Sequence, residues 1–226
     1  MQTATPNLPE ILIVGAGGHG RVVLEIIQAA AQFRPAGFID ADAGLAGTTI
    51  AGVPVLGSLN VLPRLLQQRK GFRAVIAIGD NRIRRTYAAK VAAAGIELVS
   101  AVHPSAIVSP SATVGRNVVI AAGAIIATEA VIGDSVLVNT GAIVDHECHV
   151  GDGVHICPGA KLAGRVTVGA GAFIGLGATV IQCLEIGAEA IVGAGAVVIH
   201  DVEPGATVVG VPARIIRSQD RILLPA

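Results

Sequence analysis

The chain has 226 residues, with 16 basic and 16 acidic side chains and a formal net charge of zero. This balance argues against a nucleic-acid partner and against an anionic membrane surface, because both select basic proteins. No apolar run approaches the roughly 20 residues that a transmembrane helix requires, and the N-terminus lacks the pattern of a signal peptide. The three scattered cysteines form no CxxC motif, which predicts small buried residues in a reduced, cytoplasmic protein.

The first hundred residues alternate short apolar strands with helical stretches, after a polar lead-in over residues 1–9 that we expect to be disordered. The predicted strands are residues 11–14, 37–40, 53–56 and 74–78, and the predicted helices are residues 21–31, 59–68 and 82–94. This alternation predicts a small parallel, Rossmann-like α/β domain over residues 10–100.

A glycine-rich loop joins the first strand to the first helix, where Gly15, Gly17 and Gly20 spell G-x-G-x-x-G. Such a loop presents backbone N–H groups and a helix N-terminus to a phosphate. Asp40, at the end of the second strand, lies where a carboxylate binds ribose or sugar hydroxyls. Alone, this pattern predicts an NAD-binding oxidoreductase, although the region is about half the size of a full doubly wound domain. The diphosphate of a nucleotide sugar fits it equally, and His19 could donate to a phosphate or sugar oxygen.

From residue 102 the pattern changes to a period of six. Every sixth residue is then a branched aliphatic: Val102, Val108, Val114, Ile120, Ile126, Ile132, Val138, Val144, Val150, Ile156, Leu162, Val168, Ile174, Val180, Ile186, Val192 and Val198. This period matches neither a helix nor a hairpin ladder. It predicts a solenoid of short strands, each with one inward aliphatic residue.

A second period, of 18 residues, indicates that each coil has three sides. Glycines recur at this spacing (Gly115, Gly133, Gly151, Gly169, Gly187), and so do alanines (Ala106, Ala124, Ala142, Ala160, Ala178, Ala196). We expect the glycines at a corner that needs positive φ or a close backbone approach, and the alanines in a column that admits only small side chains. The prediction is an all-β parallel β-helix over residues 101–203, with a C-terminal cap over residues 204–226.

The coil carries its densest chemistry over residues 139–150. His146 lies two residues after the inward Val144, so we expect it at a corner, pointing outward. An imidazole suits the base that acyl transfer from a thioester requires. Either Asp145 or Glu147 could hold its other ring nitrogen.

A metal site is the alternative use of the coil's histidines. Gamma-type carbonic anhydrases, which are left-handed β-helices, place three histidines around zinc between subunits. His146, His149 and His155 are the candidate ligands for such a metal hydratase. A nucleotide-sugar domain has no role in that chemistry, so the sequence favours an enzyme without a metal.

Over residues 10–216 the chain resembles the NeuD/PglD-like family of bacterial sugar O- and N-acyltransferases. The resemblance rests on five segments and one further residue, His155. The segments are Gly-Ala-Gly-Gly-His-Gly at 15–20, Ile-Ala-Ile-Gly-Asp-Asn at 76–81, His-Pro-Ser-Ala at 103–106, residues 139–150, and Gly-Val-Pro-Ala-Arg at 210–214. It implies a left-handed β-helix, acetyl-CoA as co-substrate, no metal, and a homotrimer with active sites between subunits.

The resemblance also implies roles for individual residues. The catalytic group is His146 as base, Glu147 as the carboxylate that raises its basicity, and Asn139 at the floor of the site. The residues implied to contact acetyl-CoA are His155, Gly164, Leu176 and Ala194. Those implied to hold the nucleotide-diphosphate amino sugar are Gly17, Gly18, His19, Asp40 and Gly79.

The implied reaction is acetylation of the C4 amine of a nucleotide-linked 4-amino-4,6-dideoxyhexose, for surface polysaccharide (O-antigen) or glycan biosynthesis. GDP-perosamine is the favoured substrate and the UDP-linked bacillosamine precursor is the next. Sialic acid O-acetylation is the alternative within the family.

Overall fold

The computed structural model describes residues 8–68 and 71–217. Residues 1–7 of the predicted lead-in and residues 218–226 of the predicted cap therefore lie outside the described residues. Among the described helices, none combines the length and the apolar character needed to cross a membrane.

The N-terminal part is a six-stranded sheet between helices. Its strands are β1 (Glu10–Val14), β2 (Arg34–Ile39), β3 (Thr49–Ile50), β4 (Val53–Gly57), β5 (Arg73–Ile76) and β6 (Glu97–Leu98), and its α-helices are α1 (Gly18–Ala30), α2 (Leu62–Gln68) and α3 (Asn81–Ala93). The strand order is β3-β4-β2-β1-β5-β6, parallel throughout except for the β3–β4 pair. Alternation along β1 explains the layers, because Ile11 and Ile13 pack with α1 while Leu12 and Val14 pack with α2 and α3.

Helix α1 begins earlier than the sequence predicts. It starts at Gly18, with Gly17 as its extended N-cap residue, rather than at Arg21. Gly20 explains the tight entry, because a Cβ there would overlap the Gly15 carbonyl. The third glycine of the loop therefore allows the helix to start directly against β1, which places His19 in the first helical turn.

The coil is built of two-residue strands. They are β7 (Ala101–Val102), β8 (Ile107–Val108), β9 (Thr113–Val114), β10 (Val119–Ile120), β11 (Ile125–Ile126), β12 (Val131–Ile132), β13 (Leu137–Val138), β14 (Ile143–Val144), β15 (His149–Val150), β16 (His155–Ile156), β17 (Lys161–Leu162), β18 (Thr167–Val168), β19 (Phe173–Ile174), β20 (Thr179–Val180), β21 (Glu185–Ile186), β22 (Ile191–Val192) and β23 (Val197–Val198). Every third strand pairs in parallel, 18 residues apart, and this produces three flat faces. We name them the first face (from β7), the second face (from β8) and the third face (from β9).

The predicted columns form the core of the coil. The aliphatic column is buried from Ile120 to Val198, and the alanine column is buried from Ala124 to Ala196. The prediction is wrong at the first coil, where Val102 is 37% exposed because no coil precedes it. The separate prediction that all three cysteines are buried is wrong for one of them, because Cys148 and Cys157 are buried whereas Cys183 is exposed.

The 18-residue glycines sit at a close backbone approach and not at positive φ. A Cβ on Gly151 would lie 2.8 Å from the Ala170 nitrogen of the next coil. Left-handed residues do occur at the corners, but three positions after the inward aliphatic residues from Val114 to Val192, as at Asn117 (φ 57°), Glu147 (φ 58°) and Arg165 (φ 61°). These turns accept residues other than glycine, so glycine spacing alone does not locate them.

The α/β part rests on the first face of the coil. Outward side chains of this face (Ala101, Val119, Leu137) join the core formed by α1 and the inner side of β1. The apolar contact fixes the glycine loop beside the coil.

At its far end the coil passes into a hairpin on the first face. Strand β24 (Thr207–Val209) pairs in parallel with β22, and β25 (Arg214–Arg217) pairs antiparallel with β24. Val208 enters the coil core, so these residues continue the packing after the six-residue period has ended.

Candidate functional site

His146 occupies the corner between the second and third faces. It follows β14 and shares a tight turn with Glu147, whose φ is 58°. The Asp145 side chain accepts a hydrogen bond from the His146 backbone nitrogen at 2.7 Å. Asp145 therefore shapes the turn, and the imidazole is half-exposed, as the corner position predicts.

Glu147 is the carboxylate that contacts the ring. Its Oε2 lies 2.9 Å from His146 Nδ1. Because a carboxylate oxygen accepts hydrogen bonds, this contact favours the neutral tautomer that carries its proton on Nδ1 and its lone pair on Nε2. The pair has the geometry of a general base whose ring is held in one tautomer.

Two residues of the next coil border this pair. Arg165 Nε lies 3.9 Å from the Glu147 carboxylate, and Gly164 lies directly beside the His146 ring. We name the set His146, Glu147 and Gly164 the base cluster.

A second cluster lies on the first face, against the glycine loop. Asn139 Nδ2 lies 3.3 Å from His155 Nε2, and the His155 ring meets Phe173 edge-to-face at 5.2 Å. His19 and the Gly79 backbone both lie close to the His155 ring. We name the set Asn139, His155, His19 and Gly79 the pocket cluster.

The pocket cluster holds two neutral imidazoles. Burial, and then the nearby Arg84 guanidinium, lowers the pKa of His19 to about 4. Burial lowers the pKa of His155 to about 4 as well, aided by Arg84 and His19, while the Gly79 backbone acts in the opposite direction. His19 Nε2 is a buried nitrogen without a hydrogen-bond partner among the described residues, and His155 Nδ1 forms no hydrogen bond of regular geometry, the Gly79 backbone being the polar group beside it. Unpaired polar atoms of this kind are suited to a polar ligand.

Asp40 supports the glycine loop. Its Oδ2 accepts from the Ala16 backbone nitrogen at 2.6 Å and its Oδ1 accepts from that of Asp42 at 2.9 Å. Gly17 and Gly18 are exposed at the start of α1, with open space where a Cβ would be. The loop thus has room for an anion, and Asp40 fixes its shape through the backbone.

Leu176 and Ala194 stack at the corner between the first and second faces, one coil apart. The Gly195 nitrogen donates to the Leu176 carbonyl at 2.8 Å, and Leu176 is 57% exposed. This corner borders the pocket cluster, whereas Gly164 belongs to the base cluster. Residues predicted to bind acetyl-CoA therefore lie on two sides of one prism, and within residues 8–68 and 71–217 no hydrogen bond or ion pair joins the clusters.

Sequence reasoning missed the residue that connects the α/β part to the coil. The Arg84 side chain is buried and donates to the carbonyls of Ile78 and Gly79 in the α/β part. It also donates to the Ser135 and Gly153 carbonyls in the coil. No motif marks such an arginine, because most of its partners are backbone carbonyls and those in the coil are 51 to 70 residues away in sequence.

Metal binding by one chain finds no support in the described residues. No three histidine, cysteine or acidic side chains within 8–68 and 71–217 gather to hold an ion. His146 lies at a corner, His149 on the third face and His155 on the first face.

Comparisons with known proteins agree with this architecture. Residues 10–91 match the PglD N-terminal domain family. UDP-N-acetylbacillosamine N-acetyltransferase from Bacillus subtilis (strain 168) is 39% identical over 120 residues, which are 51% of this chain and 52% of that protein. The match therefore spans about half the length of this curated relative.

Solved structures match almost the whole chain. A mutant of perosamine N-acetyltransferase from Caulobacter crescentus, in complex with CoA and GDP-perosamine, is 43% identical with a TM-score of 0.88, covering 92% of this chain and 97% of that one. The acetyltransferase domain of PglB from Neisseria gonorrhoeae FA1090, with acetyl coenzyme A, is 38% identical with a TM-score of 0.86, covering 93% and 100%. The predicted fold class is thereby confirmed: a Rossmann-like α/β part followed by a left-handed β-helix.

Proposed function

Because the chain belongs to the family of PglD-like sugar N-acetyltransferases, we propose that it transfers acetyl from acetyl-CoA to the C4 amine of a nucleotide-linked 4-amino-4,6-dideoxyhexose. The observation that carries this proposal is the base cluster. Glu147 holds His146 Nδ1 at 2.9 Å, so Nε2 is free to take a proton at an open corner of the coil. The relatives that share this coil are bound to CoA or acetyl-CoA.

The proposed chemistry requires one base and no metal. The amine nitrogen attacks the thioester carbonyl carbon, and His146 Nε2 takes the proton that the nitrogen loses. Glu147 stabilises the imidazolium. The tetrahedral intermediate then collapses: the C–N bond is retained, the C–S bond breaks, and the leaving thiolate takes the proton from His146. The products are an N-acetyl sugar nucleotide and CoA thiol.

The α/β part, residues 10–100, is the proposed site of the nucleotide diphosphate. Gly17 and Gly18 leave room for a phosphate at the N-terminus of α1, which favours an anion. The unpaired Nε2 of His19 supplies a neutral hydrogen-bonding group for the sugar, while the neutral His155 ring beside it contacts acetyl-CoA. GDP-perosamine is the preferred substrate, with the UDP-linked bacillosamine precursor next.

We further propose a homotrimer in which each active site forms between two subunits. In one chain the base cluster and the pocket cluster lie on different sides of the prism. A neighbouring copy can bring one chain's corner to the other chain's face, and acetyl-CoA would then contact Gly164 from one subunit and Leu176 and Ala194 from the next. The three free cysteines agree with a cytoplasmic enzyme.

The test is thiol release from acetyl-CoA with a panel of GDP- and UDP-linked 4-amino sugars and free sialic acid. We expect release with one amino sugar nucleotide and a product heavier by one acetyl group. Release only with sialic acid would replace the proposal by O-acetylation. Absence of release with every acceptor would refute acetyl transfer to sugars.

A further inference from the structure

The corner that carries His146 contains one glycine without a backbone reason for it. The equivalent positions in the other coils, 18 residues apart, all carry side chains: Pro110, Thr128, His146, Gln182 and His200. Gly164 alone does not, and its φ lies outside the left-handed region that favours glycine. Its backbone could therefore accept a side chain, so the cause must lie in its surroundings.

The surroundings of Gly164 are the His146 imidazole. A Cβ built on Gly164 would overlap the ring at Cε1 and Nε2 and lie 3.1 Å from Cδ2. Gly164 is buried, whereas Thr128 and Gln182 in the same column are exposed. The Cε1–Nε2 side of the ring thus lies against Gly164, in space that a side chain at residue 164 would fill.

Two contacts then define where the base nitrogen sits. Glu147 Oε2 fixes Nδ1 from one side at 2.9 Å, and the bare Gly164 backbone supports the Cε1–Nε2 edge from the other. Both restraints are needed, because a half-exposed side chain held at only one atom can still rotate about that contact.

We propose that Gly164 is a positioning residue for His146: its missing side chain makes the seat in which the imidazole presents Nε2 to the acceptor amine. This role rests on the proposed function and adds to the acetyl-CoA contact proposed for Gly164, which uses backbone atoms that Gly164→Ala retains. It also predicts that the acceptor amine reaches His146 from the side of Gly164, because a methyl group on residue 164 would cover Nε2.

The test is Gly164→Ala, with Gln182→Ala as the control from the same column. A displacement of about 1 Å in a reacting group can cost about 10²-fold in rate. We expect Gly164→Ala to lower kcat by about 10- to 100-fold with little change in KM for acetyl-CoA. Gln182→Ala should stay within about twofold of the unaltered enzyme, as is usual for an exposed substitution.

A double-mutant cycle separates positioning from acetyl-CoA binding. In a His146→Ala background, Gly164→Ala should cause no further loss, because the ring on which it acts is gone. An equal loss in both backgrounds, or a rise in KM for acetyl-CoA as the main effect, would overturn the positioning role.

A readout that needs no turnover keeps this inference separate from the proposed function. The ring signals of His146 in an NMR spectrum should move in Gly164→Ala and stay in place in Gln182→Ala. Unchanged signals in Gly164→Ala would overturn the inference even in an active enzyme. Shifted signals in a protein that acetylates no sugar would instead refute the proposed function, while still supporting the contact between Gly164 and the His146 ring.

Discussion

Of the two carboxylates beside His146, Glu147 and Asp145, only one contacts the imidazole ring. Glu147 contacts the His146 ring, whereas Asp145 contacts the His146 backbone. Glu147→Gln keeps the shape but removes the charge that stabilises an imidazolium, so we expect kcat to fall by about tenfold or more. Asp145→Asn keeps an acceptor oxygen for the turn and should change kcat much less. Steady-state rates of the two variants give the comparison, and a larger loss in Asp145→Asn would contradict the assignment.

The pocket histidines predict how stability depends on pH. The folded protein lowers the pKa of His19 and of His155 from 6.5 to about 4, so the unfolded chain binds more protons between these values. The free energy of unfolding should therefore be highest above pH 6.5 and fall as the pH drops towards 4.

Replacement of one pocket histidine tests this dependence. His155→Asn removes one of the two groups, so its stability should fall less between pH 7 and pH 5 than that of the unaltered protein, as measured by urea unfolding. His149→Asn, on the exposed third face, is the matched control and should keep the full dependence. Equal slopes in all three proteins would contradict the buried, neutral state of His155.

At the scale of elements, Arg84 holds α3 to the coil. Its guanidinium donates to carbonyls on both sides of the junction, and none of these partners is a side-chain carboxylate. Arg84→Ala would leave buried carbonyls without donors, at a cost of about 1–3 kcal/mol for each such group. We expect a clear loss of thermal stability, while Arg82→Ala, at an exposed position of the same helix, should be nearly neutral. Equal melting temperatures would show that the junction depends on its apolar contacts alone.

The elements also show how far sequence reasoning reaches. The coil core from Ile120 onward follows from the six-residue period, because inward and outward positions repeat without interruption. The corners do not follow, since residues such as Glu147 and Arg165 adopt a left-handed conformation that glycine spacing does not signal. The sequence predicts the start of α1 too late, because the close approach of Gly20 to Gly15 is visible only in the folded chain.

In the candidate site, too, some features can be predicted from the sequence and others cannot. His146 is recognisable as a corner imidazole from the inward position of Val144, and its neighbouring carboxylates are visible in the sequence. The choice between Asp145 and Glu147 depends on turn geometry, and Arg84 bonds to backbone atoms that no pattern of side chains reveals. The grouping of Asn139 with His155, away from His146, follows from the faces of the prism.

At the scale of the whole molecule, the base cluster and the pocket cluster lie apart in one chain, so the proposed active site needs two subunits. His146→Asn removes the base and leaves the pocket. Gly18→Glu adds a carboxylate where a Cβ has open space, which suits the helix N-terminus but repels a diphosphate. Each variant alone should be inactive while still folded.

Co-assembly of these two variants is the most direct measurement. If sites form between subunits, an intact His146 of one variant meets an intact glycine loop of the other, and random mixing should restore about a quarter of the sites. An active site shared between subunits predicts acetyl-CoA-dependent thiol release by the mixed oligomer at about that level. A mixture as inactive as its parents would contradict an active site shared between subunits.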